Sequence, residues 1–264
     1  MTINNTINPS LKPIISSKLL LVIPGFGSPK VDLKKMILKK NIEQINTTFT
    51  GCIDIKVFNY DETPCGIDCN ETFVKGYPGQ FLYRYITPSL VSKYDYVIIL
   101  LDDIELQSNF NLDRILYNYR YYGCELMSPA LTSNSEYSHR WMLQEINNAD
   151  KIRQVTAIEL FCYIMSSSAY EKYYTLLNEQ SAWLWGIDYH VNNMLSCYII
   201  NCVTMHHHIK GASYSPDKPC AYSEMNDNNE RFKNIGLKKY NPAQNIQYLT
   251  YNQIPVSGEE VPPK

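Results

Sequence analysis

Apolar residues fall into short blocks separated by stretches in which they recur at helical spacing. Leu19 to Ile23 form one unbroken block, the pattern of a strand covered on both faces, and a turn containing Pro24, Gly25 and Gly27 follows. Ser28 and Pro29 then offer a cap and a first helical position for VDLKKMILKKNIEQI, with Leu33, Met36 and Ile37 on its inner face. In CIDIKVFNYD, alternation through Ile53, Ile55 and Val57 predicts a second strand that ends at Asp61. A loop with Pro64, Gly66 and Gly76 leads to GQFLYRYITPSLVSKY, a helical pattern kinked or broken at Thr87-Pro88. Next, YDYVIILLDDIELQ climbs through an apolar run and stops on Asp102, Asp103 and Glu105.

The rest of the chain keeps alternating. NLDRILYNYRYY predicts a helix, CELMSPAL a strand, SNSEYSHRWMLQEINNADK a polar excursion, and VTAIELFCYIMS a long strand. SAYEKYYTLLNE and WGIDYHVNNMLS read as helices, and CYIINCVTMHHH as a final strand. Strands alternating with helices predict an α/β domain over 18–214 with a mixed, mostly parallel central sheet. A polar extension covers 1–17. From 215 to 264 the chain is polar and punctuated by proline, so it is expected to wrap the domain or stay disordered.

Charge narrows the partners: 24 basic against 26 acidic residues, with no long run of either sign, leaves no footprint for nucleic acid or an anionic membrane. The start of the chain lacks the order of a signal peptide, and no apolar run suits a transmembrane segment, so a soluble cytoplasmic protein is expected. The Asn, Ile, Lys and Tyr bias fits an AT-rich microbial or viral genome, the host cytoplasm being the compartment in the viral case. Scattered cysteines suit a reducing compartment. Only CGIDC, Cys65 to Cys69, is closely paired, and without a second pair it reads as structural or incidental rather than as a metal site.

In open α/β sheets ligands sit beyond the carboxyl ends of the strands, where Asp102, Asp103 and Glu105 fall. Clustered carboxylates repel one another and need a cation or protons for relief. A divalent ion such as Mn²⁺ or Mg²⁺, completing its shell with phosphate and water, meets that need. Taken alone, a D-D-x-E segment is more often a solvated strand end or a helix cap. The motifs around it decide the reading.

Those motifs are Tyr60-Asp61, Tyr94-Asp95-Tyr96, Asp102 to Glu105, Ser128-Pro129-Ala130, Ile158-Glu159, Trp185-Gly186-Ile187-Asp188 and the histidines from His206. In this order they resemble glycosyltransferases of the GT-A fold. More narrowly, they are similar to a plant-abundant family catalogued as domain of unknown function 707. The resemblance spans about Phe58 to His208. It departs from the family at Leu100-Leu101, where the family has a Trp, and at Phe81, Leu82 and Tyr83, where it has tryptophans and a lysine.

The resemblance implies a GT-A-like, Rossmann-type three-layer α/β/α sandwich. It also implies metal-dependent transfer of a sugar from a nucleotide-diphosphate donor to a hydroxyl of a glycan or protein. Asp103, Glu105, His206 and His208 are then the expected metal ligands, His206 favoured among the histidines, with Asp102 toward ribose or a water-mediated contact. Pro24, Gly25, Phe26 and Asp61 fall where such folds cradle the nucleoside, and Arg84 is the candidate for the diphosphate. Asp188 is the candidate base, its structural alternative being a helix cap, and Glu159, in an apolar run, binds acceptor or holds a neighbouring base. Trp183, Trp185, Gly186 and Tyr189 are the candidate acceptor floor. Two other functions stay open: a metal-dependent phosphohydrolase, which would want acids and histidines over several strand ends, and a non-catalytic nucleotide-sugar or carbohydrate-binding protein.

Overall fold

The first apolar block does not stop at Ile23. In a computed structural model, which describes residues 16–137, 139–208, 218–240 and 243–252, it runs on as β1 (Lys18–Phe26). Every residue after Lys18 is buried, so both faces of this strand are covered. Pro24, Gly25 and Phe26, expected in a ligand loop, therefore lie in the strand, with Phe26 fully buried in the core. The N-terminal extension falls outside the described residues up to 15.

Parallel to β1 lie β2 (Cys52–Asn59) and, on its other side, β4 (Tyr96–Leu100). A short strand inside the expected loop, β3 (Asn70–Phe73), extends this half of the sheet. The remaining strands are β5 (Ile104–Leu106), β6 (Leu126–Leu131), β7 (Lys151–Val155), β8 (Cys162–Ser166), β9 (Cys197–His207) and β10 (Asn245–Thr250). They complete a ten-stranded sheet in the order β10-β7-β9-β6-β8-β4-β1-β2-β3, with β5 paired to β9. From the pairings, β1, β2, β3, β4, β6, β9 and β10 run one way while β5, β7 and β8 run the other. The fold is α/β with a large, mixed, mostly parallel sheet. As a result, the carboxyl ends of β4, β6 and β9 and the start of β8 share one rim.

Between β1 and β2 runs α1 (Val31–Thr48), whose cap position is Lys30 rather than Ser28. Its buried face is also rotated from the expected one: Lys34, Ile37, Leu38, Asn41 and Ile45 are inside, whereas Met36 is 51% exposed. A polar stripe goes in because the acidic segment after β4 lies under it. The Asn41 amide donates to Ile104 O (2.6 Å) and accepts from Leu106 N (2.8 Å), completing the edge of β5 as a neighbouring strand would.

The Thr87-Pro88 step separates α2 (Pro78–Tyr85) from α3 (Pro88–Val91), and the Thr87 side chain caps the second piece. After β5 comes α4 (Leu112–Tyr122), which ends at Gly123 with φ +62°. The stretch predicted as one long strand is instead divided between β7 and β8, so Glu159 sits in the connection at the rim and not in a strand. After β8, α5 (Ser167–Tyr174) forms as expected, but WGIDYHVNNMLS becomes consecutive turns and a single 3₁₀ turn at Val191–Asn193. The region expected to be tail contains α6 (Lys218–Asn234) and β10, which adds antiparallel to β7 at the edge of the sheet. Residues 215–217 and 253–264 lie outside the described residues. Among the described residues, no helix is long and apolar enough to cross a membrane.

Candidate functional site

The three carboxylates that end the β4 run do not face one another around a common centre. Each is met by a cationic or imidazole side chain of the protein. Asp102 Oδ2 lies 2.8 Å from Lys34 Nζ, with side-chain exposures of 12% and 6%. The same ammonium donates to Gly27 O (2.8 Å) and to the Tyr60 hydroxyl (3.1 Å). Burial pushes Lys34 down, but Asp102 and Tyr60 outweigh it and hold its pKa above the ordinary lysine value. On the other partner, burial and then the charge of Asp103 raise the Asp102 carboxyl, and Lys34 only offsets them. A simple ion pair would lower the acid; here burial, reinforced by the charge of Asp103, outweighs Lys34 and pushes the carboxyl up to about 7.

Asp103 is in the turn before β5, and its Oδ2 meets His207 Nε2 at 3.1 Å. The other ring nitrogen of His207 lies 3.0 Å from Glu136 O, and Phe161 packs against the ring at 5.0 Å between centroids. Burial lowers His207, yet Asp103, the Glu136 carbonyl and the charge of Glu159 together raise it. Glu105, two residues along, points elsewhere: its two oxygens take Lys40 Nζ and His208 Nε2, each at 2.6 Å. Burial opposes its ionisation, but those two partners hold the Glu105 carboxyl below the usual range.

Register explains the division. β5 pairs antiparallel with β9 so that Glu105 stands opposite His206 and Ile104 opposite His207. His206 and His208 share one face, with rings 4.4 Å apart, and His207 turns to the other. His206 itself is 2.9 Å from Thr132 Oγ1 and 3.2 Å from Ser135 Oγ, and burial together with the charges of His208 and His207 lowers its pKa. The expected set of Asp103, Glu105, His206 and His208 is thus split, and the histidine on Asp103 is His207, which is not among the expected ligands. Among the described residues, the rim presents no group of three or more Cys, His, Asp or Glu ligand atoms within 4.8 Å of one another.

A second imidazole–carboxylate pair lies at the same rim. His139 Nε2 is 3.5 Å from Asp188 Oδ2 and 3.0 Å from the Tyr189 hydroxyl. The imidazole stacks on Trp141, centroids 4.1 Å apart and planes 6° from parallel. Burial lowers His139, but the Asp188 hydrogen bond and the charges of Glu159 and Asp188 outweigh it, so it protonates more readily than a free imidazole. Glu159 acts electrostatically on His207, His139 and Tyr189 alike, so its carboxylate is within electrostatic reach of both pairs. His139 and Trp141 belong to the polar excursion. A histidine beside a tryptophan was the available signal, but nothing in the sequence tied it to Asp188.

The segment carrying Asp188 is held from behind by α6. Glu224, 9% exposed, accepts from the backbone N–H groups of Ala182 (2.8 Å), Trp183 (2.6 Å) and Leu184 (3.1 Å). Asn228 donates to Trp185 O, and Trp185 packs edge-on against Tyr222. Gly186 has φ +87°, and a Cβ there would meet Met225 O at 3.1 Å. Trp185 and Gly186 therefore pack toward α6, and Trp183 sits against Tyr77, while Tyr189 remains beside His139.

On the β1 and β2 side, Asp61 accepts from Ser28 N and Thr63 N, both at 2.8 Å, and these bonds lower its carboxyl. A Cβ on Gly27 would meet Asp61 Oδ2 and the Tyr60 ring at 2.7 Å, so only glycine fits where the two loops cross. Asp61 ties loops together at the edge of the site. Arg84 is exposed on the last turn of α2.

Comparison with known proteins gives little to add to this geometry. No protein-family model matches the chain, and no curated protein matches it. A solved structure described as the crystal structure of A197 from STIV resembles it with a TM-score of 0.41 and 10% identity, over 73% of this chain and 86% of that one. A likeness of that size says nothing about activity.

Proposed function

We propose that this chain is a nucleotide-sugar-dependent glycosyltransferase whose sheet and helices form a GT-A-like three-layer sandwich. One observation carries the reading. Asp102-Asp103, His139, Glu159, Asp188-Tyr189 and His207 come from separate segments and meet at the rim formed by the carboxyl ends of β4, β6 and β9. The rim has two chemically different halves, as transfer from a diphosphate to a hydroxyl requires.

The Asp103 half suits a divalent ion. An anionic oxygen and an imidazole nitrogen 3.1 Å apart are a donor pair that Mn²⁺ or Mg²⁺ accepts, the remaining positions going to phosphate oxygens and water. Asp103 and His207 would hold such an ion, which when bound would supply positive charge against a diphosphate leaving group. Asp102, fixed by Lys34, stands beside this pair and is positioned for a donor hydroxyl. Glu105 and His208 are already engaged with each other and Lys40, and brace β5.

In the other half, Asp188 is the proton acceptor for the incoming hydroxyl. His139 holds that carboxylate in place, stacked on Trp141, and the Tyr189 hydroxyl shares the same ring nitrogen, Nε2. The Asp188 hydrogen bond and then the charge of Glu159 raise the imidazole's pKa against burial, which favours a charge-assisted pairing with Asp188.

A metal-dependent phosphohydrolase is the second reading, favoured by the spread of acids and histidines around several strand ends. Two-metal hydrolases, however, need a denser ligand set than the described rim presents. Thermal-shift measurements with nucleoside diphosphates and their sugars, with and without Mn²⁺, separate the readings. At a ligand concentration about 100-fold above Kd the stabilisation is about 2.7 kcal/mol, a shift of roughly 5–10 °C for a chain of this size. One nucleotide diphosphate is expected to give a metal-dependent shift in the wild type that Asp103→Ala and His207→Ala abolish. Phosphate-ester hydrolysis without nucleotide preference would select the second reading, and absence of both shift and turnover would overturn the first.

A further inference from the structure

The loop between β2 and β3 brings together a second set of metal-ligating side chains, remote in chemistry from the rim. Cys65, Cys69 and Glu71 each present a ligand atom within 4.8 Å of the others, the group of this kind found among the described residues. Cys65 is buried and Cys69 half-buried. Their sulfurs are 3.4 Å apart. A disulfide would put them at about 2.05 Å, while two thiolates on one tetrahedral zinc, each about 2.3 Å from the metal, sit about 3.8 Å apart. The observed separation is nearer the second.

We infer that Cys65, Cys69 and Glu71 bind a zinc-class divalent cation that staples this loop to the edge of the sheet, with solvent completing the tetrahedron. Two sulfur donors select a borderline or soft ion over Mg²⁺ or Mn²⁺, so this site and the rim discriminate between metals. The carboxylate is already oriented: Glu71 Oε2 accepts from Cys65 N (2.8 Å) and from Asn59 Nδ2 (2.5 Å). Asn59 is fully buried at the end of β2, so the ligand is braced from the core, as outer-shell partners of metal ligands are. Gly66, φ +79°, makes the reversal that returns Cys69 to Cys65, and the Lys35 side chain of α1 passes over it. The loop begins at Asp61, which ties it to Ser28 after β1. A cation here therefore fixes the loop against the edge of the sheet and the turn after β1, and the inference does not depend on the glycosyltransferase reading.

The test uses the full-length reduced protein and zinc itself. After equilibration with Zn²⁺ and removal of the free ion, metal content is measured for the wild type, Cys69→Ser, Glu71→Gln and Cys52→Ser, the last altering an exposed thiol on β2 outside the cluster. Wild type and Cys52→Ser are expected to retain zinc, and Cys69→Ser to lose it. Glu71→Gln should bind more weakly, and Asn59→Ala roughly 10–100-fold more weakly. Because a variant in the loop can misfold, thiol alkylation of the wild type gives an independent readout. Zn²⁺, but not Mg²⁺, should protect Cys65 and Cys69 while Cys52 continues to react. Zinc content unchanged by Cys69→Ser, equal alkylation with and without zinc, or a Cys65–Cys69 disulfide that persists in reductant would each overturn the inference.

Discussion

Two kinds of carboxylate line the rim, and they differ in what balances them. Asp102 is met by Lys34 of α1 and Glu105 by Lys40 of α1 together with His208, whereas Asp103 and Asp188 are met by imidazoles alone, His207 and His139. A lysine brings a charge that persists throughout the neutral range. An imidazole brings one that the neutral range adds or removes. The lysines therefore give Asp102 and Glu105 a persistent cation, and on the proposed reading the catalytic carboxylates are the two balanced by imidazole alone. Burial and Asp103 nonetheless push the Asp102 carboxyl up to about 7, so it too titrates near neutrality. The same contrast revises the electrostatic argument made from sequence: part of the cation demanded by the acidic cluster is supplied by α1 itself.

The comparison is most sharply tested at Asp188. If the proposed reading holds, Asp188→Asn should lower sugar transfer by about 10²–10⁴-fold, the usual worth of a general base, with a much smaller effect on the denaturant midpoint. A rate within a few-fold of wild type would move Asp188 from catalysis to framework. Lys34→Met should do the opposite. It leaves the Asp102 carboxylate buried without its cation, at a cost of about 3–5 kcal/mol in urea unfolding. Adding Asp102→Asn should recover much of that loss, and failure to recover would show that Lys34 contributes through packing instead.

Acidity gives an intermediate effect. His139 has a folded pKa above its ordinary value of 6.5, with Asp188, Glu159 and Tyr189 as the groups facing it. Its stabilisation is therefore complete below the unfolded pKa and is lost as pH rises through the folded one. Unfolding free energy should fall from pH 6 toward pH 8, and His139→Gln should flatten that slope. The smallest effect belongs to Lys40→Ala. The Lys40 side chain is 57% exposed, so its short contact with Glu105 is screened and should contribute less than about 1 kcal/mol to stability.

Several parts of this architecture were legible in the chain. The unbroken apolar runs at β1 and β4 and the alternation in β2 specify strands by burial alone, and Thr87-Pro88 marks a helix boundary through the geometry of proline. Other parts were not. Leu33, Met36 and Ile37 have helical spacing, yet the helix is turned so that Lys34 and Asn41 go in, because the buried acid and the open edge of β5 outweigh the loss of one apolar contact. VTAIELFCYIM reads as continuous because apolar composition cannot reveal a strand change, and Glu159 was the one residue in it that did not belong. Glu224 gave no signal at all, since its partners are backbone N–H groups about 40 residues earlier.

The sequence by itself determined that this is an α/β protein, that a buried strand ends on acidic residues, and that a late run of histidines closes another strand. Those are local facts, set by hydrophobic periodicity and residue chemistry. Which histidine meets which acid was decided only by tertiary structure. Adjacent residues on a strand face opposite sides, so the antiparallel register of β5 against β9 sends His207 to Asp103 and His208 to Glu105. Pairing His139 with Asp188 likewise required two loops nearly 50 residues apart to meet at one rim, a long-range contact that no local pattern encodes.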